Sequence, residues 1–149
     1  MWSHYAQDHT GAVFEFWSLP EVDNALSAAA PVRYVPSPPS FFSEGEFIDD
    51  LLSLKRLDFR SLYHRYAYFK SDHWAYEHEW RVWYPFSNTK EHDLVPINPA
   101  ELRAVYFGCR MDPDTRSRLA ALLKVGFPQA KVFQASRRDD AYALDFTEA

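Results

Sequence analysis

The order strand, helix, strand, strand over the last third of the chain constrains the fold more than any other feature. Leu102 to Phe107 reads as a strong strand that stops at Gly108. A helix begins at Asp112-Pro113, a capping residue followed by a proline suited to the first turn, and ends at Gly126. Strands are then expected over residues 131–135 and 141–146. This order predicts a mixed sheet with a helix against it.

The upstream sequence adds shorter elements of both kinds. Residues 12–17 and 79–84 alternate like strands, and helices are expected over residues 19–28, 43–55 and 58–69. We therefore predict the α+β class, with residues 1–149 forming a single domain that has a central twisted mixed sheet and helices packed against it. Ring-rich termini are tied down when ordered, so Trp2 and Tyr5 should pack into this domain. The residues expected to be buried are Trp80, Val82, Tyr84, Val105, Phe107, Leu119, Leu122, Val132 and Phe133.

Composition excludes several classes of function. The net charge of −5 argues against non-specific nucleic-acid binding, which needs a surplus of basic residues against phosphate. No stretch approaches the roughly 20 apolar residues of a membrane span, and the first residues do not form a secretory signal. Cys109 is the only cysteine, so we expect no intramolecular disulfide and a reducing, cytoplasmic location. The short basic pair Arg137-Arg138 reads as solvated surface.

Glycine and histidine spacings exclude the common cofactor motifs. The four glycines are isolated, so neither a dinucleotide fingerprint nor a phosphate-binding P-loop is present. No spacing matches a zincin or a zinc ribbon, the single cysteine excludes sulfur-rich sites, and no metal is expected. Any nucleotide must therefore be held by another arrangement.

The stretch from Lys70 to Tyr84 carries the best candidate chemistry. If its strand extends back to Glu77, then Glu77, Glu79 and Arg81 share one face, because side chains alternate along a strand. Such a row has two interpretations. A surface ion-pair ladder is one, and it would contribute only about 0–1 kcal/mol. A carboxylate pair among aromatic rings is also a common active-site pattern, suited to stabilising positive charge at a sugar anomeric carbon.

Three motifs in order resemble a known family. They are Trp2-Ser3-His4-Tyr5-Ala6 with His9 and Gly11, then Lys70, Trp74 and Glu77 to Arg81, and finally Val105 to Gly108. This pattern is similar to that of the domain of unknown function 2971, found mostly in bacteria and their phages, and the resemblance runs over nearly the whole chain. Members usually carry a preceding region with an F-N-D-P turn. The resemblance thus implies that residues 1–149 are the C-terminal part of a longer family domain.

An early strand histidine followed by a late E-x-E strand is also similar, more remotely, to ADP-ribosyltransferases. That similarity implies an enzyme, or an inactive relic of one, that uses NAD as substrate and transfers ADP-ribose to a small-molecule or protein acceptor. It implies Glu79 as the catalytic carboxylate, with Glu77 acting on the acceptor. The implied site residues are catalytic Glu79, Glu77 and His4, and cofactor-binding Tyr5, Lys70 and Arg81.

A non-catalytic protein-binding or regulatory module, in a phage or defence setting, is the alternative. The rings that would serve a partner in that case are Tyr63, Tyr66, Tyr68 and Phe69.

Overall fold

The computed structural model describes residues 2–22, 25–40, 42–58, 62–63, 66–82 and 96–149. The chain divides into two compact units. Met1–Ser27 and Leu94–Ala149 form the first, here called the sheet unit, and Ala28–Asp93 form the second, the middle unit. That the 149 residues act as one domain stays a prediction.

Strands and helices alternate irregularly along the described chain. The strands are β1 (Ala12–Phe16), β2 (Ala30–Pro31), β3 (Arg33–Val35), β4 (Phe69–Ser71), β5 (Trp80–Arg81), β6 (Leu102–Phe107), β7 (Lys131–Arg137) and β8 (Leu144–Glu148). Two α-helices lie wholly within the described residues, α1 (Glu44–Leu51) and α2 (Pro113–Gly126). The 3₁₀ turns are Ala25–Ala28, Asp72–Glu77 and Pro99–Glu101.

The sheet unit contains a four-stranded mixed sheet in the order β1-β6-β7-β8. The outer pairs, β1 with β6 and β7 with β8, are antiparallel, whereas β6 and β7 are parallel and are joined through α2. Parallel neighbours need a long crossover, and a helix supplies it. The predicted α+β class with a central mixed sheet is confirmed.

The core of the sheet unit forms where α2 packs on the sheet. Buried side chains of β6 meet Leu123 of α2, and Leu119 and Val132 pack at the edge of the cluster. The fully or nearly buried members are Leu102, Val105, Phe107, Met111 and Leu123. Asp112 caps the helix by accepting from the amide of Thr115 at 2.9 Å, as the sequence predicts.

The prediction of burial is wrong for two residues. Leu122 is 68% exposed, because the stripe of α2 that faces the sheet runs through Leu119, Ala120 and Leu123, which leaves Leu122 to the side. Trp80 is 65% exposed, since β5 pairs, within the described residues, with the two-residue β2 in a separate ribbon. Val105 and Phe107 are buried as predicted. Val82, Leu119, Val132 and Phe133 are half-buried, and Tyr84 lies outside the described residues.

Several predicted elements are shorter than expected. The strand predicted over residues 79–84 is described only as the two residues of β5, and positions 83 and 84 lie outside the described part. The first predicted helix is a single 3₁₀ turn, Ala25–Ala28. Helix α1 begins at Ser43 with the predicted capping box, in which the hydroxyl accepts from the amide of Glu46. Of the helix predicted over 58–69, residues 62, 63, 66 and 67 are described as helical, and Phe69 belongs to β4.

The first ten residues pack against the end of β6 through an unusual backbone. Gln7, Asp8 and His9 follow one another with φ of 47, 52 and 67°. Residues with side chains normally enter this left-handed region singly, at about 1–2 kcal/mol each. The amide of Gly108 donates to Gly11 O at 2.9 Å, and the amide of Arg110 donates to His9 O at 3.0 Å, so β6 holds this backbone in place.

Of the two N-terminal rings that were predicted to pack into the domain, one packs and the other is exposed. The indole of Trp2 stacks on the ring of His9 with the two planes 4° apart, and it also meets Phe146. Tyr5 is 65% exposed, so that part of the prediction is wrong. Tyr5 belongs to a turn that reverses within a few residues, and such a turn can bury only some of its rings.

Gly108 should be the least replaceable glycine described. A Cβ there would lie 2.0 Å from His9 O, so Gly108→Ala must push the two backbones apart. We expect it to lower the free energy of unfolding by at least about 1–3 kcal/mol in urea titrations. Gly126→Ala is the matched control, because nothing lies within 4 Å of its Cβ. Equal unfolding midpoints for the two variants would show that this contact does not matter.

Candidate carboxylate site

Four charged side chains of the middle unit, Glu79 among them, form one cluster. Strand β4, paired in parallel with β3, carries Lys70, and the following 3₁₀ turn ends at Glu77. His78 then adopts a left-handed conformation, with φ of 46°, and the chain continues into β5 with Arg81. The prediction that Glu77 lies on the same strand as Glu79 and Arg81 is therefore wrong. A turn and a left-handed residue, rather than strand alternation, bring it beside Glu79.

The carboxylate of Glu79 accepts from two cations. Arg81 binds it in a bidentate manner, with Nε 2.6 Å from Oε1 and Nη2 3.1 Å from Oε2. Lys70 Nζ lies 3.0 Å from the same Oε2 and also donates to Glu77 Oε2. Bidentate arginine pairs fix both distance and plane, so Glu79 has a defined orientation. Lys70 also lies 5.0 Å from the ring centre of Trp74, a cation–π distance.

The backbone around Glu79 is anchored as firmly as its side chain. Its amide donates to the hydroxyl of Tyr34 at 2.7 Å, and its carbonyl accepts from the amide of Val32 at 2.9 Å. Arg81 uses its remaining Nη1 to donate to the carbonyl of Ala67. Tyr34 has no sequence signal that links it to the site, because it is 45 residues away from Glu79.

Electrostatics favour an ionised Glu79. The hydrogen bond from Arg81, with a further one from Lys70, holds the pKa of Glu79 below its ordinary value of 4.5. Hydrogen bonds to Glu77 and then Glu79 raise the pKa of Lys70. The Glu77 side chain is only 8% exposed, whereas that of Glu79 is 28% exposed and within reach of solvent. With two acids and two bases, the cluster has no net charge.

A small pocket lies next to the cluster. It measures about 190 Å³ and is lined by the proline-rich segment 35–39 and by Tyr66, Phe69, Lys70 and Ser71. Pockets for drug-sized ligands usually measure about 300–1,000 Å³, so this one suits a single planar ring rather than a whole dinucleotide. Lys70 belongs to both the pocket and the carboxylate cluster.

The structure brings together four of the six residues predicted for the site. Lys70, Glu77, Glu79 and Arg81 form the cluster, all within the middle unit. His4 and Tyr5 belong to the sheet unit, where their rings lie edge to face with centres 6.5 Å apart. Among the described residues, no three metal-ligating side chains come together.

The ion pairs of Glu79 should make stability depend on pH. Its pKa is lower in the folded chain than in the unfolded one, so its contribution is present above about pH 4.5 and is lost as the pH falls through the folded value. We expect Glu79→Gln to lower the free energy of unfolding at pH 7 by about 1 kcal/mol, allowing for solvent screening. At pH 3 the difference should shrink. Urea titrations at both pH values measure it.

Glu148→Gln serves as the control for that measurement. Glu148 lies 3.8 Å from Lys131, and both side chains are 61% exposed, so its loss should have little effect at pH 7. A loss at pH 7 as small for Glu79→Gln as for Glu148→Gln would mean that the Glu79 pairs do not stabilise the fold.

No helix in the described residues is both long and apolar enough to cross a membrane.

Comparison with known proteins identifies the family. No curated protein and no solved structure matches the chain. A family model described as "Protein of unknown function (DUF2971)" matches residues 1–82, more than half of the chain. The match includes the Trp2 and Glu79 motifs and ends before Val105, so it is shorter than the near-complete resemblance expected from the sequence. The chain belongs to this family of proteins of unknown function.

Proposed function

We propose that the protein is an ADP-ribosyltransferase-like enzyme that uses NAD as substrate, with the chemistry at Glu79. One observation carries the proposal. The Glu79 carboxylate is ionised, reachable by solvent and fixed in orientation by Arg81 and by its own backbone bonds. A fixed anion of this kind is what the cleavage of a glycosidic bond to a cationic leaving group requires.

The reaction transfers ADP-ribose from nicotinamide to an acceptor. As the bond between nicotinamide and ribose breaks, its electron pair leaves with nicotinamide and positive charge develops on the ribose. A fixed carboxylate stabilises that charge more in the transition state than in the ground state. The acceptor then forms a bond to the ribose carbon and releases one proton. Glu77, which shares Lys70 with Glu79, orients or deprotonates the acceptor.

The neutral cluster needs one rearrangement before it can act. Lys70 and Arg81 together cancel the charge of the two glutamates, so a cation on the ribose gains little while both bases stay in place. The diphosphate of NAD carries two negative charges and so competes with the carboxylates for Lys70. In the proposal, Lys70 moves to the diphosphate and leaves Glu79 oriented by Arg81 alone.

The adjoining pocket suits the leaving group. Its volume of about 190 Å³ admits one planar ring, and Tyr66 and Phe69 supply aromatic walls. Nicotinamide bound there would lie next to Lys70 and near the carboxylates. The proposal uses residues of the middle unit alone, and it assigns no step to His4 or Tyr5.

Nicotinamide release is the direct test. Wild type incubated with NAD should release nicotinamide, and Glu79→Gln should lower the rate by at least about 100-fold, because the isosteric amide cannot stabilise the ribose cation. Lys70→Met should weaken NAD binding by calorimetry about tenfold, the loss expected for one charge-assisted hydrogen bond.

Glu44→Gln is the matched control, since Glu44 is an exposed carboxylate at the start of α1 in the same unit. It should keep the wild-type rate. Dichroism spectra must show that all variants remain folded. Wild type that neither binds nor cleaves NAD contradicts the proposal, and so does equal activity in Glu79→Gln and wild type.

One observation favours the alternative of a protein-binding module. Helix α1 has an apolar surface with Phe47, Ile48, Leu51 and Leu52 each at least 50% exposed. Contiguous exposed apolar surface marks interaction sites more often than isolated residues do. Of the four rings expected to serve a partner, Tyr63 and Tyr66 are exposed, whereas Tyr68 and Phe69 are half-buried.

The alternative predicts a partner whose binding depends on α1. Leu51→Glu should abolish capture of that partner in a pull-down, because a charge replaces a side chain that is 72% exposed and apolar. Glu79→Gln should leave capture intact. A protein that binds both variants equally does not use this helix, and the module hypothesis would then have no surface to rest on.

A further inference from the structure

We propose a second ligand site in the sheet unit, a cleft that binds a nucleoside monophosphate by stacking its base and pairing its phosphate. The cleft measures about 690 Å³, within the usual range of about 300–1,000 Å³ for small-molecule sites. It lies between the N-terminal segment and the β7–β8 turn. Its lining includes Trp2, His9, Arg137, Arg138 and Phe146. The inference does not depend on the chemistry proposed for Glu79.

The aromatic wall of the cleft is fixed from behind. The ring of Phe146 lies 5.3 Å from the ring of Tyr106, edge to face, and Tyr106 stacks on Phe133 at 5.0 Å. Trp2 stacks on both Phe146 and His9, with centres 6.0 Å apart in each pair. Rings held in this way offer a stacking platform without further loss of side-chain entropy on binding. A planar base is the ligand group that such a platform accepts.

The basic wall of the cleft has a guanidinium available. Arg138 is engaged by Asp140 in a bidentate pair at 2.8 and 2.7 Å. The Arg137 side chain lines the cleft and forms no hydrogen bond or ion pair with the residues that the structure describes, while its backbone belongs to the β7–β8 ladder. A chain with net charge −5 does not attract anions as a whole, so a cation at this position acts locally. A phosphate can bind a guanidinium through two parallel hydrogen bonds.

The backbone that carries His9 is held in a strained conformation. Three consecutive left-handed residues end at His9, and His9 Nδ1 is buried with no hydrogen-bond partner in the described structure. Left-handed conformations are unfavourable for residues with side chains. A buried polar atom without a partner adds to that cost. Strain of this kind concentrates at ligand sites, where a fixed geometry has a use. Gly108 and Arg110 enforce it here by binding Gly11 and His9.

AMP is the probe, and the five tryptophan indole signals in a ¹H–¹⁵N spectrum of the full chain are the readout. Trp2→Phe removes one signal and thereby assigns it. We expect AMP to shift the Trp2 signal and to saturate it. Adenosine, which lacks the phosphate, and ribose 5-phosphate, which lacks the base, should each bind at least about tenfold more weakly. Higher salt should weaken AMP but not adenosine.

Paired variants separate the site from general effects. Arg137→Gln should weaken AMP binding about tenfold by calorimetry, whereas Arg118→Gln, an exposed arginine on α2, should not change it. Trp2→Leu should weaken binding and Trp2→Phe should restore most of it. Trp80→Leu, which removes an exposed indole from the middle unit, should have no effect.

Three results overturn the inference. They are no saturable shift of the Trp2 signal by AMP, equal binding of AMP and adenosine, and equal losses in Arg137→Gln and Arg118→Gln. Since the variants avoid Glu79, none of these results bears on nicotinamide release. Likewise, an inactive Glu79→Gln variant that still binds AMP leaves the cleft site standing.

Discussion

The structure of the sheet unit depends on the close approach of two backbones at Gly108. The position of a Cβ at Gly108 lies 2.0 Å from His9 O, so only a residue without a side chain lets the N-terminal segment lie against the end of β6. Two further bonds, from Gly108 to Gly11 and from Arg110 to His9, secure the contact. The left-handed run of residues 7–9 follows from it, because the chain must turn sharply to meet both partners and still enter β1. The glycine thus allows strain elsewhere in the chain.

The middle unit is organised by charge rather than by a large core. Its strands are two or three residues long, and none of the residues described in its helices and strands is fully buried. Short two-stranded ribbons are marginal alone. Glu79 connects these strands. Its backbone forms hydrogen bonds with Tyr34 and Val32. Its side chain binds Lys70 on β4 and Arg81 on β5. One residue therefore joins strands that share no sheet, which explains why a candidate catalytic group also supports the fold.

Sequence reasoning succeeded where local signals and tertiary packing agree. The cap at Asp112 and the run from Leu102 to Phe107 predicted α2 and β6, because a capping side chain and a continuous apolar strand are local properties. The site was only partly predictable. The four charged residues were found, but His78, with φ of 46°, breaks the alternation that was meant to align them. The cleft was missed altogether, because Trp2 and Arg137 come from opposite ends of the chain and Arg137-Arg138 reads as ordinary surface.

The two cations bound to Glu79 are not equivalent, and this difference decides how the cluster can respond to a ligand. Arg81 makes two hydrogen bonds to Glu79 and a third to the carbonyl of Ala67. Moving Arg81 would therefore also break the bond that joins its side chain to the backbone at Ala67. Lys70 is a point charge on a flexible stem, shared between two carboxylates and exposed by 19%. In the proposed reaction, an arriving phosphate draws Lys70 away from the two glutamates, whereas Arg81 stays. Removing one positive charge would turn the neutral cluster into an anionic one, which is the field that the positive centre of the proposed substrate requires.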